Sequence, residues 1–230
     1  GTKVTITYLR NAATKQAVIT RDAIPLVSVD ASYMMTNEIG YIRLNKFSSV
    51  TYREFMEALE PLKKAGLQKL ILDLRGNGGG ILDQAVEIAD EFLDGDKLIT
   101  YTEGKHVDKK EYRCRRNGQF ETGKLVVLAD EGSASASEIL IGALQDWDRA
   151  TIVGRRSFGK GLVQEQFDLS DKSALRLTIA RYYTPIGRSI QRPYTNGERA
   201  YYDEVSNRYH DPETTYADSV KNNSGKAYKT

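Results

Sequence analysis

The sequence predicts an α/β core. Three observations carry that expectation: compact aliphatic runs of strand length (LILDL within 67–74, KLVVLA at 124–129), helical apolar spacing after each run, and loops of glycine or small residues in between. Strand–helix alternation builds a sheet with helices packed over it. Runs without polar alternation mark strands buried on both faces, as parallel strands are. A length of 230 residues suits one sizeable domain, or one domain plus part of another.

The elements follow in order. KVTITYLR and AVITRD read as two short strands joined by a turn around Ala12 to Lys15. Pro25 opens a linker to about Tyr33, and residues 38–47, EIGYIRLNKF, form a strand. Thr51 starts a helix with Phe55, Met56, Leu59 and Leu62 on one face. Thr51 and Glu54 have capping-box spacing, and Pro61 is expected to bend or shorten this helix. The 67–74 strand runs into RGNGGG, after which a helix turns Ile81, Leu82, Ala85, Val86, Ile88, Ala89, Phe92 and Leu93 toward a core. KLITYT is a strand, followed by a polar hairpin around Asn117-Gly118. KLVVLAD enters EGSASAS and a helix bearing Ile139, Leu140, Ala143, Leu144 and Trp147. ATIVG is a strand, and LVQEQFDL and ALRLTIARYY form a strand pair joined at Ser170-Asp171-Lys172. From about Gln191 the chain turns polar and tyrosine-rich, so that this part packs on something else or is mobile.

Composition excludes several classes. Thirty-three basic against 31 acidic residues give net +2, which makes no electrostatic case for nucleic acid. The apolar runs are far too short to span a bilayer. The single cysteine, Cys114, rules out an internal disulfide and reads as a small semi-buried side chain. The chain opens directly in strand-like sequence, as a piece of a longer precursor does.

Three stretches could carry chemistry. Arg75-Gly76-Asn77-Gly78-Gly79-Gly80 lies between a buried strand and a helix, where backbone N–H groups can hold an anion or oxyanion. Its glycines miss the dinucleotide spacing, and a plain tight turn is the competing reading. Gly132-Ser133-Ala134-Ser135-Ala136-Ser137-Glu138 has the same setting. A serine after a sharp strand-to-helix turn has nucleophile-elbow geometry, but Ser135 and Glu138 also fit a capping box. In GRRSFGKG, residues 154–161, Lys160 ends an incomplete P-loop. No Ser or Thr follows it and the next residues are strand-like, so a phosphate role fails. On a strand, Lys160, Leu162 and Gln164 share a face. Partial desolvation there would lower the lysine's pKa toward that of a base, and a solvated surface lysine is the alternative. The two histidines, His106 and His210, sit in polar segments, which leaves a Ser-His-Asp triad poorly supported. A Ser-Lys dyad needs neither.

GSASASE, FGKG-x-VQ with its lysine 25 residues after Ser135, and DLRGNGGG upstream resemble the C-terminal processing peptidases, or tail-specific proteases. SVDASYM before EIGYIRLNKF, and RYYTPIGRSIQ, resemble the family's core entry and late core strand. The resemblance covers most of residues 1–192. It implies a crotonase-like, Clp-protease-like ββα core over 31–192, with 1–30 as the end of a truncated PDZ domain and its linker. Residues 193–230 form a polar, tyrosine-rich insertion or tail of the Bacteroides-type variant, where the family usually closes its core with a Pro-Asp motif. By resemblance Ser135 is the nucleophile, Lys160 the general base and Gln164 its orienting residue. The oxyanion hole is the N–H of Ala136 with that of Gly79 or Gly80. The activity implied is a serine endopeptidase cleaving polypeptides near accessible C-terminal tails, without metal or cofactor, in the bacterial envelope. A crotonase-like acyl-CoA enzyme and a non-catalytic scaffold of the same fold are the alternatives.

Overall fold

The computed structural model describes residues 1–22, 27–194 and 197–210. Pro25, where the linker is expected to open, lies outside them, as do residues 211–230 of the polar C-terminal segment.

The chain begins with an antiparallel hairpin, β1 (Lys3–Arg10) and β2 (Ala13–Thr20), which forms its own two-stranded sheet. Its turn is Asn11-Ala12, both with φ near +55°, a little earlier than the expected Ala12 to Lys15. Two left-handed residues match the twist of the flanking strands, so pairing runs up to Arg10 and Ala13.

The central sheet has the order β3-β4-β5-β8-β9. β3 (Val29–Met34) is antiparallel to β4 (Ile39–Leu44). Helix α1 (Thr51–Lys64) then leads to β5 (Lys69–Asp73), and α2 (Leu82–Asp90) follows. A hairpin of β6 (Leu98–Gly104) and β7 (Val107–Arg113) intervenes before β8 (Lys124–Ala129), α3 (Ala136–Asp146) and β9 (Thr151–Gly154). Strands β4, β5, β8 and β9 are parallel. The loops leaving β5 and β8 therefore emerge side by side at one edge of the sheet, which is what brings the two small-residue motifs together.

Leu70 and Leu72 of β5 and Val127 of β8 are buried in one core with Phe55 and Leu59 of α1, Ala85 and Ile88 of α2, and Leu140 and Leu144 of α3. Phe92 meets Phe55 and Phe120 edge-on within it. Trp147, expected on the buried face of α3, lies past its end and is exposed, donating its indole N–H to the Leu98 carbonyl. Ile81 is exposed as well, because it precedes α2 rather than lying on it.

The second sheet is antiparallel, β10 (Leu162–Asp168), β11 (Ala174–Tyr183), β6, β7. Only Arg181–Tyr183 of β11 pairs with β6, so the rest of the β10–β11 ribbon extends past it with Phe167, Leu169, Leu175 and Leu177 exposed. The polar segment contributes helix α4 (Gly197–His210).

Several local expectations are corrected. The hairpin lies at Gly104–Val107, not at Asn117-Gly118, which belongs to the loop entering β8. Strand β7 escapes pattern reading because VDKKEYR is an edge strand carrying charge, as free edges commonly do. β3 occupies residues assigned to the linker. At α1 the capping box does not form. Glu54 Oε2 accepts the N–H groups of Ser28 and Val29 instead, at 2.7 and 3.2 Å, and so anchors the start of β3. Pro61 neither ends nor visibly shortens α1, which continues to Lys64, although the missing N–H leaves the Glu57 carbonyl without its intrahelical donor.

Candidate active site

The turn after β5 is built on two buried polar residues. Asp73 is fully buried and accepts the Tyr41 hydroxyl at 2.6 Å and the Arg75 guanidinium at 2.6–3.1 Å. Burial alone would raise its carboxyl pKa, but the bonds from Arg75 and Tyr41 outweigh this and hold it below the usual range. Asn77 is also fully buried. Its amide donates to the Leu44 carbonyl at 3.0 Å, and its Oδ1 accepts the Gly79 N–H at 2.9 Å. Its backbone carbonyl accepts the Ala134 N–H at 3.0 Å and the Ser137 hydroxyl at 2.9 Å. Asn77 thus joins the two motif loops.

The three serines of GSASASE separate by environment. Ser133 is fully buried and donates to the Leu74 carbonyl at 2.8 Å. Ser137 is equally buried and bonded to Asn77. Only Ser135, at the N-cap of α3, is half-buried, and its hydroxyl makes no cap hydrogen bond. The box spacing is present, but what holds it is the Ser135 N–H on Glu138 Oε2 at 2.8 Å and the Glu138 N–H on the Ser135 carbonyl at 2.9 Å. Ser135 has φ 58° and ψ −114°. A non-glycine residue held there costs about 1–3 kcal/mol, a strain that concentrates at functional sites. The capping box expected from the spacing is present, and it coincides with the strained backbone of Ser135, whose side chain stays half-buried.

The glycine turn lies directly against this serine. A Cβ on Gly79 (φ +91°) would come within 2.4 Å of the Ala134 carbonyl oxygen and 2.8 Å of the Ala136 nitrogen and Ser135 Cβ. Glycine is required there by both conformation and space. Asn77 takes the Gly79 N–H, whereas no acceptor among the described residues meets the N–H of Gly78, Gly80 or Ala136.

Lys160 is placed differently from expectation. It precedes β10 by two residues, in the 155–161 loop, and its side chain is exposed rather than partly buried. The reason lies in its backbone. Glu138, 5% exposed, accepts the Gly159 N–H and the Ser157 hydroxyl on Oε1 at 2.6 and 2.8 Å, and the Lys160 N–H on Oε2 at 2.8 Å. These bonds replace strand pairing and hold the loop against α3. Burial pushes the Glu138 carboxyl pKa up from its ordinary range, against the pull of those donors. Oε2 also holds the Ser135 N–H at 2.8 Å, so the backbones of Ser135 and Lys160 share one carboxylate oxygen. Gln164 is on β10 and exposed. Among the described residues no hydrogen bond joins the Lys160 side chain to Ser135 or Gln164, a separation common before substrate binds. His106 lies in the exposed β6–β7 turn, on the other sheet.

Asn77 and Glu138 join the candidate site's loops, a part that sequence reasoning did not assign to them. Asn77 is a lone polar side chain between glycines after a buried strand, and Glu138, in the first turn of α3, shows in the sequence only its capping-box spacing.

Comparison with known proteins identifies the family. The family model described as Peptidase family S41 matches residues 38–197. The chain is 41% identical over 197 residues to a carboxy-terminal-processing protease of Bartonella bacilliformis, covering 83% of this chain and 45% of that protein. It is 41% identical over 199 residues to a carboxyl-terminal-processing protease of Synechocystis, covering 84% and 46%. The chain spans about half the length of the curated relatives it matches. The solved photosystem II D1 C-terminal processing protease superposes with a TM-score of 0.68 at 33% identity, covering 83% of this chain and 53% of that one. A putative S41 protease from Bacteroides fragilis, 17% identical with a TM-score of 0.60 over 82% and 57% of the two chains, shares the fold. With the motif loops converging as described and the match spanning the whole central sheet from β4 onward, this chain belongs to peptidase family S41.

Proposed function

We propose that the chain is the catalytic core of a serine endopeptidase that hydrolyses peptide bonds near the C-terminal tails of polypeptides. The observation that carries this is the single Glu138 oxygen holding the backbones of Ser135 and Lys160 together beside the Gly79-Gly80 turn. Ser135 Oγ attacks the scissile carbonyl carbon while neutral Lys160 Nζ takes its proton. The carbonyl oxygen, now an oxyanion, is received by the N–H groups of Gly80 and Ala136. When the tetrahedral intermediate collapses, the C–N bond breaks and Lys160 returns the proton to the leaving amine. Water then repeats the sequence on the acyl-enzyme. Gln164 orients the lysine through its amide without adding a charge.

Residues 1–30 are read as the end of a PDZ domain, an assignment supported by the separate β1–β2 sheet. The bacterial envelope is inferred as the location from the resemblance of the motifs; among the described residues no helix is long and apolar enough to cross a membrane. The acyl-CoA reading would use the same glycine turn, but the matched relatives favour the peptidase.

The test is labelling of the full-length protein with a serine-reactive phosphonate, followed by peptide mapping, beside a CoA-binding measurement. An adduct on Ser135 and no CoA binding are expected. CoA binding without an adduct would move the chain to the acyl-CoA class, and neither result would leave a scaffold.

A further inference from the structure

Helix α4 begins at the last residue of the S41 match and lies almost wholly outside it. Yet it is fastened to the loop that carries Lys160. Arg208 of α4 donates Nη1 to the Ser157 carbonyl at 2.6 Å and Nε to Glu204 Oε1 at 2.7 Å. Glu204 also pairs with Arg156 of the loop, at 3.6 Å, and with Arg192 through its Nη1. Arg192 donates its backbone N–H to the Gly159 carbonyl at 2.9 Å, and the neighbouring Gln191 accepts the Gly161 N–H at 3.0 Å. The Arg192 guanidinium is 7% exposed and stacks 3.7 Å from the centroid of Tyr201, a buried α4 ring. Glu204 is its carboxylate partner among the described residues. One acid therefore meets three guanidinium groups, and its loss would leave a buried cation without a counter-charge, which is strongly destabilising locally. Across the loop, Glu138 of α3 holds the Ser157, Gly159 and Lys160 donors. A cavity of about 510 Å³, lined by Glu138, Ser157, Gly159, Arg192 and Arg208 among others, separates the two anchors and gives the loop room to shift.

We infer that α4 is a clasp on the 155–161 loop, with Glu204 and Arg208 as positioning residues for Lys160. The inference rests on the reading of Lys160 as the base. Glu138 fixes the inner side of the loop and the Arg208–Glu204–Arg192 cluster fixes its outer side, so releasing α4 frees the base without touching the nucleophile.

The experiment compares Glu204→Gln, Arg208→Ala and Arg208→Lys in the full-length protein, with rates expressed per phosphonate-titrated serine. Glu204→Gln and Arg208→Ala should lower kcat about 10- to 100-fold, the scale of a misplaced catalytic group, with KM changed less than about twofold. Arg208→Lys should recover part of the rate. Hydrogen exchange of the 155–161 amides should quicken in both disabling variants. A clasp that only stabilised the fold would leave both kcat per titrated serine and that exchange unchanged, which overturns the inference. Lys160→Ala in the same protein separates the two failures. If it keeps activity, the reading of Lys160 is wrong; if it is inactive while Glu204→Gln and Arg208→Ala keep the parent kcat and exchange, only the clasp is wrong.

Discussion

The nucleophile half and the base half of the candidate site are built on opposite plans. Around Ser135 the loops are stitched by fully buried polar residues, Asn77, Ser133 and Ser137, each bonded to backbone of the neighbouring strand's loop. Around Lys160 no buried side chain of the loop itself does this work. Its backbone hangs between Glu138 and the α4 arginine cluster, and its lysine is exposed. The difference teaches that the glycine turn and the strained serine are set by the fold, whereas Lys160, proposed as the base, is set by Glu138 and the α4 cluster, both lying outside its loop. Strain at Ser135 is tolerable only because rigid surroundings over-determine it.

Ser135→Ala should break the nucleophile half outright. Hydrolysis should be undetectable while stability changes by less than about 1 kcal/mol, because the hydroxyl makes no cap bond. Activity kept in that variant would shift the assignment to Ser133 or Ser137. Asn77→Ala attacks the stitching instead. It strands the Leu44 carbonyl and the Gly79 N–H, and two unsatisfied buried groups should cost about 3 kcal/mol in denaturant unfolding. Stability within error of the parent would mean that the loops meet without it.

Glu138→Gln sharpens the contrast, since it sits on both halves. An amide nitrogen in place of one oxygen faces donors rather than accepting from them. A loss of about 2 kcal/mol and a rate lower by about 100-fold are expected; a silent substitution would contradict the shared-oxygen geometry. Asp73 gives a smaller, pH-dependent effect. Its folded pKa is depressed, so its stabilisation is present above the ordinary carboxylate range and lost as pH falls through the lowered value. Thermal unfolding of Asp73→Asn should therefore lose less Tm than the parent on acidification below about pH 4. The mildest change is Gln164→Ala, which should reduce the rate less than any Lys160 substitution, and Gln164→Glu should move the pH optimum upward by adding a charge that favours protonated lysine.

Sequence reading succeeded where burial leaves a mark. LILDL and KLVVLA are aliphatic on both faces because β5 and β8 are central parallel strands. β7 carries charge at an edge and β3 is only half-buried, so neither shows that mark. Ser135, Gly79 and Gly80 were legible as a motif, and their meeting followed from adjacent parallel strands. Asn77 was hidden among glycines, and Glu138 was read only as a capping partner. Lys160 was extended into the following strand because GKG runs unbroken into LVQEQF; nothing local reveals that its N–H bonds leave for α3. α4 offers few aliphatic residues, since its attachment is ionic and aromatic.

The most direct test of the dyad is kcat/KM against pH, from about pH 5 to about pH 10, for the full-length protein and its Lys160→Arg variant on a peptide with a free C-terminal tail. Arginine keeps the positive charge but cannot give up its proton in that range. The account predicts a parent profile that rises with pH and a variant at background throughout. A Lys160→Arg rate within about tenfold of the parent at any of these pH values would contradict it and return the search for a base to His106 and His210.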